Sequence, residues 1–321
     1  MNAFGKVGVL YGGRSAERDV SLMSGQGVHE ALLSQGIDSH LFDTAKHSLA
    51  DLAAQQFDCV FIALHGRYGE DGSMQGALEL MQIPYTGSGH QACSIAMDKI
   101  ATKRLWQQEG LSTPAYRILR SRADLQGLVQ EIGLPLILKA PNEGSTLGLY
   151  QVRSEDQLLA AYEQAIKFDR TILAEQFIRG RELTIAVLGE GDAAHALPVI
   201  EIVAPGGNYD YEHKYFSDDT QYLCPAPISE KCAREVMELA CQAYRSIGCS
   251  GWGRVDIMLD QSERPWLLEV NASPGMTGHS LVPMAAKAVG ISYADLCRRI
   301  LEDASCKIGQ TASLAATGAK G

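Results

Sequence analysis

The sequence predicts an α/β protein: an open parallel sheet near the start, followed by a longer stretch in which strands and helices mix. Two apolar runs carry that reading. Residues 7–11 (Val-Gly-Val-Leu-Tyr) and 59–64 (Cys-Val-Phe-Ile-Ala-Leu) are short and uninterrupted, as strands covered on both faces are. Each runs into a polar, glycine-bearing loop, Gly12-Gly13 after the first and His65-Gly66-Arg67-Tyr68-Gly69-Glu70-Asp71-Gly72 after the second. Loops at the carboxyl ends of parallel strands are where open sheets gather ligands. The third observation is a helical pattern over 21–35 between the two runs, with Gly36 placed to cap its end.

Further elements follow in order. A helix is expected over 94–109 and a strand over 134–139, with a flexible glycine-bearing loop over 143–148. Ser154-x-x-Gln157 has the form of a capping box opening the next helix. Strands are expected over 171–177 and 182–188, and the remainder to 302 mixes both element types. From Ser305 the chain holds small residues without aromatics or acids, a composition expected to be disordered. No internal repeat is present.

Composition narrows the function. With 28 basic and 38 acidic residues the formal net charge is -10, which lacks the basic footprint of a nucleic-acid binder or of a protein held on anionic lipid. No apolar run approaches the roughly 18–20 residues of a membrane span. Met1 to Lys6 run directly into the first strand without an apolar stretch and small-residue cleavage site, so a signal peptide is not expected. None of the eight cysteines forms a C-x-x-C pair, so zinc-knuckle and thioredoxin readings lack support and buried reduced thiols are expected. A cytoplasmic location is the expectation.

The sharpest chemistry lies in Gly251-Trp252-Gly253-Arg254-Val255-Asp256-Ile257-Met258-Leu259 and Trp266-Leu267-Leu268-Glu269-Val270-Asn271. Turn residues over 260–265 make the pair a hairpin. Alternation sets Val255, Ile257 and Leu259 on one face, with Trp266, Leu268 and Val270 as its partners. Asp256, Glu269 and Asn271 then share the opposite face, and a pairing centred on Ser262-Glu263 sets Asp256 across from Glu269. Two carboxylates and an amide oxygen suit Mg²⁺, which takes one or two carboxylates together with phosphates and water. A solvated polar face is the competing reading. Arg254 falls on the same side as Asp256, either as a cation for a developing oxyanion or as a salt-bridge partner.

Other candidates are weaker alone. The 143–148 loop lacks the Walker spacing, and Leu10-Tyr11-Gly12-Gly13 lacks the dinucleotide fingerprint. Backbone amides of that loop can still cover phosphates. Lys139, ending an apolar strand, is a phosphate contact or a solvated lysine. Glu17 is a helix-start acid or a partner for an amine, and His65 a loop histidine or a proton relay. No G-x-S-x-G elbow supports a hydrolase.

Taken in order, the motifs resemble those of the D-alanine–D-alanine ligases of the ATP-grasp superfamily, over nearly the whole chain. They are Gly12-Gly13-x-Ser15-Ala16-Glu17-Arg18, Ala63-Leu64-His65-Gly66, Gly69-Glu70-Asp71-Gly72, Pro84-Tyr85-Thr86-Gly87-Ser88-Gly89 and Met97-Asp98-Lys99. Later come Tyr209-Asp210-Tyr211-Glu212-x-Lys214-Tyr215, Gly253-Arg254-Val255-Asp256, Glu269-Val270-Asn271-x-Ser273-Pro274-Gly275-Met276-Thr277 and His279-Ser280.

The resemblance implies a three-domain ATP-grasp architecture. Residues 1–95 would be an α/β substrate-binding domain, 96–180 a central ATP-grasp subdomain, 181–304 the catalytic domain, and 305–321 a tail. It implies ATP-dependent joining of two D-alanines through a D-alanyl phosphate, for peptidoglycan precursors, in a cytoplasmic homodimer. Lys99 and Lys139 would contact phosphates, Glu175 the adenine amino group and Glu182 the ribose. Asp256, Glu269 and Asn271 would hold two Mg²⁺ or Mn²⁺ ions. Glu17 would bind the first ammonium, with His65 nearby. Arg254 and the Gly275 amide would stabilise the oxyanion, Ser280 would hold the second carboxylate, and Lys214 would steady the phosphoryl group. Tyr215, linked in the family to Ser145 and Glu17, favours an amine as nucleophile. Residues 143–148 and 206–215 would form lids. Lys139-Ala140-Pro141-Asn142 departs from the K-P-S-R of many relatives. Two other readings stay open: an ATP-grasp ligase with other substrates, and a silent nucleotide-binding regulator.

Overall fold

Three sheets follow one another along the chain, and pairing changes from parallel in the first to antiparallel in the other two. The computed structural model describes residues 4–142, 148–204 and 220–308. Strand β1 (Lys6–Tyr11) leads into helix α1 (Arg18–Ser34), then β2 (Asp38–Asp43), α2 (Leu49–Ala54) and β3 (Cys59–Ile62). β1 lies between β2 and β3, so Val7, Val9 and Leu10 are fully buried, which is why this strand reads as a continuous apolar run. Helix α1 ends as expected. Gly36 takes a left-handed backbone at φ +73°, and the Ile37 N–H donates to the Leu32 carbonyl, a Schellman closure. β2 escaped the sequence reading because it is an edge strand, and its Asp38 and His40 face water.

Helix α3 (Ser73–Met81) precedes α4 (His90–Met97) and α5 (Lys99–Gln108). One helix was expected over 94–109, but there are two. Asp98 leaves helical geometry at ψ 96° and its carboxylate accepts the Ile100 and Ala101 amides at 2.9 and 3.1 Å. This N-cap starts a new helix with Lys99 as its first residue.

The middle sheet holds β4 (Tyr116–Leu119), β5 (Leu136–Lys139), β6 (Tyr150–Val152) and β7 (Ile172–Gln176) in the order β4-β7-β5-β6. Helices α6 (Leu128–Ile132) and α7 (Leu158–Ala165) cover it. The expected capping box at Ser154 does not form. Ser154 makes no side-chain cap, and the Gln157 side chain accepts the Arg153 amide at 2.9 Å ahead of a short 3₁₀ turn.

The third sheet contains β8 (Gly180–Leu188), β9 (His195–Ala196), β10 (Ile200–Val203), β11 (Gln221–Leu223), β12 (Trp252–Asp260) and β13 (Pro265–Asn271). β8 and β12 run side by side at its centre. Helix α8 (Glu230–Ser246) packs Val236, Ala240 and Tyr244 onto Leu183, Ile185, Val255 and Ile257, and the other sheet face is shared between polar Glu182, Thr184 and Asp256 and apolar Ala186, Leu188 and Trp252. Helices α9 (Leu281–Ala288) and α10 (Tyr293–Glu302) then return to the first unit. Leu296, Ile300 and Leu301 join Val28 and Leu32 of α1 in one core that also reaches Ala186 and Trp252. Burying side chains of this size stabilises by about 1.5–3 kcal/mol each, so the N-terminal unit is fastened to the third sheet from both ends of the chain.

The hairpin needs one correction. Its outer part pairs Ile257 with Leu267, whereas Asp256 pairs with Glu269, so a bulge falls at Leu268. The extra residue shifts alternation: Leu267 is buried and Trp266 and Leu268 are half-buried, where strict alternation put Trp266 and Leu268 inward. A second correction concerns the chain end. Ser305 exchanges backbone hydrogen bonds with Tyr85, and the Lys307 and Ile308 amides donate to the buried Glu79 carboxylate at 2.6 and 3.1 Å. These residues are held by polar contacts that a composition argument does not register; residues 309–321 lie outside the described chain.

Candidate active site

The polar face of the hairpin is assembled as its spacing predicts. Asp256 stands opposite Glu269, and Arg254 opposite Asn271, because the bulge at Leu268, between the turn and these pairs, shifts the register by one residue. β8 contributes Thr184, the residue beside Asp256 on the other flank, and its hydroxyl donates to Asp256 Oδ1 at 2.6 Å. The Arg254 guanidinium grips the same carboxylate at both oxygens, Nε at 2.9 Å and Nη2 at 2.8 Å. Lys99, at the start of α5, reaches Glu269 at 3.1 Å. Asn271 Oδ1 accepts the Ser273 amide at 3.0 Å.

Among the described residues no cluster of three or more His, Cys, Asp and Glu side chains is arranged to hold a metal. The hairpin offers two carboxylates and one amide oxygen instead, a hard-oxygen set that fits Mg²⁺ or Mn²⁺ shared with phosphates. Both carboxylates meet a cation of the chain, so positive charge is what this face accommodates.

A second cluster lies toward the middle sheet. Glu175 on β7 is buried between two lysines, Lys139 on β5 at 2.6 Å and Lys103 on α5. Burial raises its pKa, but the two ammonium groups outweigh that and hold it below the usual carboxylate range. Burial also lowers the Lys103 pKa to about 8, against the opposing pull of Glu175. Lys103 donates to Thr113 as well, and the Thr113 hydroxyl donates to the Leu267 carbonyl at 2.9 Å. The cluster thereby ties β7 to β13. Lys103 was missed in the sequence. Its signal was the i,i+4 spacing from Lys99, which sets both lysines on one face of α5.

The loop after β13 forms the third part. His65 holds it, with Nδ1 3.1 Å from the Ser273 carbonyl oxygen and Nε2 3.0 Å from Ser24 Oγ. Burial disfavours the charged ring, yet Glu70, Glu17 and the Ser273 carbonyl together raise the His65 pKa. The Met276 amide donates to Ser24 Oγ at 3.1 Å. Pro274 has no N–H, so Gly275 carries the one amide of 273–276 for which no acceptor stands among the described residues. The family resemblance implies that His65 lies near the first substrate; in the fold both its ring nitrogens are engaged by the chain.

The remaining predicted residues sit around these three parts. Glu17 is buried at the start of α1 beside Gly66, where a Cβ would come within 2.9 Å of Glu17 Oε2. Ser280 precedes α9 and its Oγ accepts the Thr277 amide at 2.9 Å. An added Cβ on Gly275 would meet that same Oγ at 2.9 Å. Glu182 is half-buried on the polar face of β8, two residues from Thr184. Ser145, Lys214 and Tyr215 lie outside the described residues, as do most of the two expected lids. A cavity of about 520 Å³, lined by Arg67, Asp71, Asn142, Phe168 and Arg170 among others, contains none of the predicted site residues.

A parallel α/β unit followed by two antiparallel sheets, with lysines on one and an acidic, arginine-bearing hairpin on the other, defines an enzyme of the ATP-grasp class. The comparisons agree. Family models described as D-ala D-ala ligase N-terminus and C-terminus match residues 38–88 and 105–302. The D-alanine–D-alanine ligase of Bordetella petrii is 67% identical over 306 residues, covering 95% of this chain and 94% of the relative. That of a Janthinobacterium species is 59% identical, covering 93% and 95%. The solved D-alanine–D-alanine ligase from Bacillus anthracis complexed with ATP superposes with a TM-score of 0.81 at 30% identity, covering 93% of this chain and 97% of that one. The VanG D-Ala:D-Ser ligase from Enterococcus faecalis gives 0.82 at 28%, covering 93% and 99%. The chain belongs to the D-alanine–D-alanine ligase family.

Proposed function

We propose that this protein joins two molecules of D-alanine with ATP, releasing ADP and phosphate, to make D-alanyl-D-alanine for cell-wall precursors. The observation that carries the reading is the convergence of Asp256, Glu269, Asn271 and Arg254 on one hairpin, in a chain 67% identical to the D-alanine–D-alanine ligase of Bordetella petrii. A carboxylate is a poor acyl donor because oxide leaves badly, so it is first phosphorylated. A carboxylate oxygen of the first D-alanine attacks the γ-phosphorus and ADP leaves. The amine of the second then attacks the acyl carbon as it loses its proton, and phosphate departs with the original carboxylate oxygen.

The chain's residues divide this work. Lys99 and Lys139 leave their acidic partners for the ATP phosphates, while Lys103 stays with Glu175 as it receives the adenine amino group, and Glu182 takes the ribose. Asp256, Glu269 and Asn271 would hold Mg²⁺ or Mn²⁺, which when bound neutralises phosphate charge. Glu17 receives the first ammonium, with His65 fixing the loop behind it. Arg254 and the Gly275 amide face the oxyanion of the tetrahedral intermediate, and Ser280 the second carboxylate. Ser145, Lys214 and Tyr215 keep the parts implied by the family resemblance, and the lids exclude water from the acyl phosphate. The boundaries 1–95, 96–180 and 181–304 remain our division into domains. No described helix is long and apolar enough to cross a membrane, and we place the protein in the cytoplasm as a homodimer.

Incubation with ATP, Mg²⁺ and D-alanine tests the reading, with L-alanine, D-serine and D-lactate as alternative partners. One ADP per D-alanyl-D-alanine is expected. ADP formed only with another acceptor would move the substrate and keep the chemistry. No turnover with any pair, despite ATP binding, would favour the silent regulator.

A further inference from the structure

We propose that Ser24 and Tyr293 are positioning residues that aim the Gly275 amide at the reacting carbonyl by holding Met276 at both its amide and its carbonyl oxygen. The inference rests on the oxyanion role given to Gly275 above.

The geometry is a closed ring of contacts. Upstream of Gly275, the Ser273 carbonyl is within 3.1 Å of His65 Nδ1. Downstream, the Met276 amide donates to Ser24 Oγ at 3.1 Å. His65 Nε2 and Ser24 Oγ lie 3.0 Å apart and close the ring. Met276 is gripped a second time, since the Tyr293 hydroxyl donates to its carbonyl oxygen at 2.6 Å. Ser24, His65 and Met276 are all buried, so these bonds do not exchange freely with water.

Between the two anchors lie only Pro274 and Gly275. Proline fixes its own φ and offers no amide. Glycine is free to rotate, so the direction of its N–H is set by the peptides on either side. With Ser273 and Met276 both held, that direction is fixed before substrate arrives, which is what stabilisation of a developing oxyanion requires. The ring also crosses the molecule. Ser24 sits on α1 and His65 follows β3, whereas Met276 follows β13, so the first D-alanine's domain orients the donor used when the second D-alanine attacks.

A merely structural role would be satisfied by volume, so shape and hydrogen bonding are separated by variants. Ser24→Ala removes the oxygen, Ser24→Cys keeps an atom of similar position with weak hydrogen bonding, and Tyr293→Phe removes a single oxygen from the other grip. Full-length variants are compared for thermal unfolding, for dipeptide formation, and for positional isotope exchange in ATP labelled with ¹⁸O at the β,γ-bridge. That exchange with D-alanine reports the acyl phosphate step alone. The clamp predicts a loss of about tenfold in kcat for each variant, including Ser24→Cys, with KM for ATP and the exchange rate within twofold of the parent. Tyr293→Phe carries the test where a Ser24 variant does not fold. Parent-like ligation in Tyr293→Phe, recovery in Ser24→Cys, or an equal loss of exchange overturns the clamp. Absence of dipeptide formation in the parent contradicts the ligase reading itself instead.

Discussion

Replacing Arg254 by alanine separates two jobs of one guanidinium. In the folded chain Arg254 binds both oxygens of Asp256, at 2.9 and 2.8 Å, with side-chain exposures of 15% and 10%. Removing one partner of a buried pair costs about 3–5 kcal/mol. Thr184 still donates to Asp256 and some water reaches both groups, so about 2–3 kcal/mol is the expected loss of stability without metal. If the guanidinium also faces the oxyanion, kcat falls a further 10²- to 10³-fold, roughly the loss for one such donor. The two effects part company when Mg²⁺ is added. A cation at Asp256 restores the charge balance that Arg254 supplied, so Mg²⁺ should raise the unfolding temperature of the variant more than that of the parent. Calorimetry with and without Mg²⁺, beside steady-state ligation assays, reads both. A kcat loss below threefold refutes the oxyanion role, and an equal Mg²⁺ response in the two proteins refutes Asp256 as a metal ligand.

Other perturbations test other parts of the account. Lys103→Met should raise KM for ATP about tenfold with a smaller change in KM for D-alanine, as Glu175 loses a cation it touches; a selective effect on D-alanine would contradict the placement of this cluster at the nucleotide. Gly66→Ala sets a Cβ 2.9 Å from Glu17 Oε2 at φ +67° and should weaken binding of the first D-alanine, read by its KM at saturating ATP. Deleting 305–321 removes the backbone pairing to Tyr85 and two amide donors to Glu79. It should lower stability by about 2–4 kcal/mol, seen as an earlier thermal transition. Asp43 is held at about 2 by Arg18, from an ordinary value of 3.8. Its folded pKa is depressed, so its contribution is complete above pH ~4 and disappears as pH falls toward about 2. Asp43→Asn should flatten acid unfolding in that window.

The Asp256–Glu269 hairpin was legible because its pattern is local in sequence. A two-residue period and a turn placed on Ser262-Glu263 predict that Asp256 faces Glu269; the pairing is observed, although the turn itself centres on Ser262 (Leu259 pairs with Pro265) and the bulge at Leu268 restores the register. The bulge at Leu268 was not legible, since Leu267 and Leu268 are equally apolar and only the packing beneath α8 decides which turns inward. Lys103 illustrates a different gap. A lysine in a polar helix reads as solvated, and its complete burial depends on Glu175 and Thr113, 72 and 10 residues away in the chain. The ring through Ser24, His65 and Met276 was hidden for the same reason, because an ordinary serine acquires meaning only when β3 and β13 bring their loops to one place. The ordered stretch to Ile308 depends on a buried glutamate in α3 that composition does not reveal.

The acyl phosphate route is tested most directly with D-alanine carrying ¹⁸O in its carboxylate. If a carboxylate oxygen attacks the γ-phosphorus and later departs with the leaving group, each dipeptide formed must transfer one ¹⁸O into inorganic phosphate, visible by mass or by the ³¹P shift. The account predicts one labelled phosphate per D-alanyl-D-alanine. Dipeptide formed alongside unlabelled phosphate would contradict it.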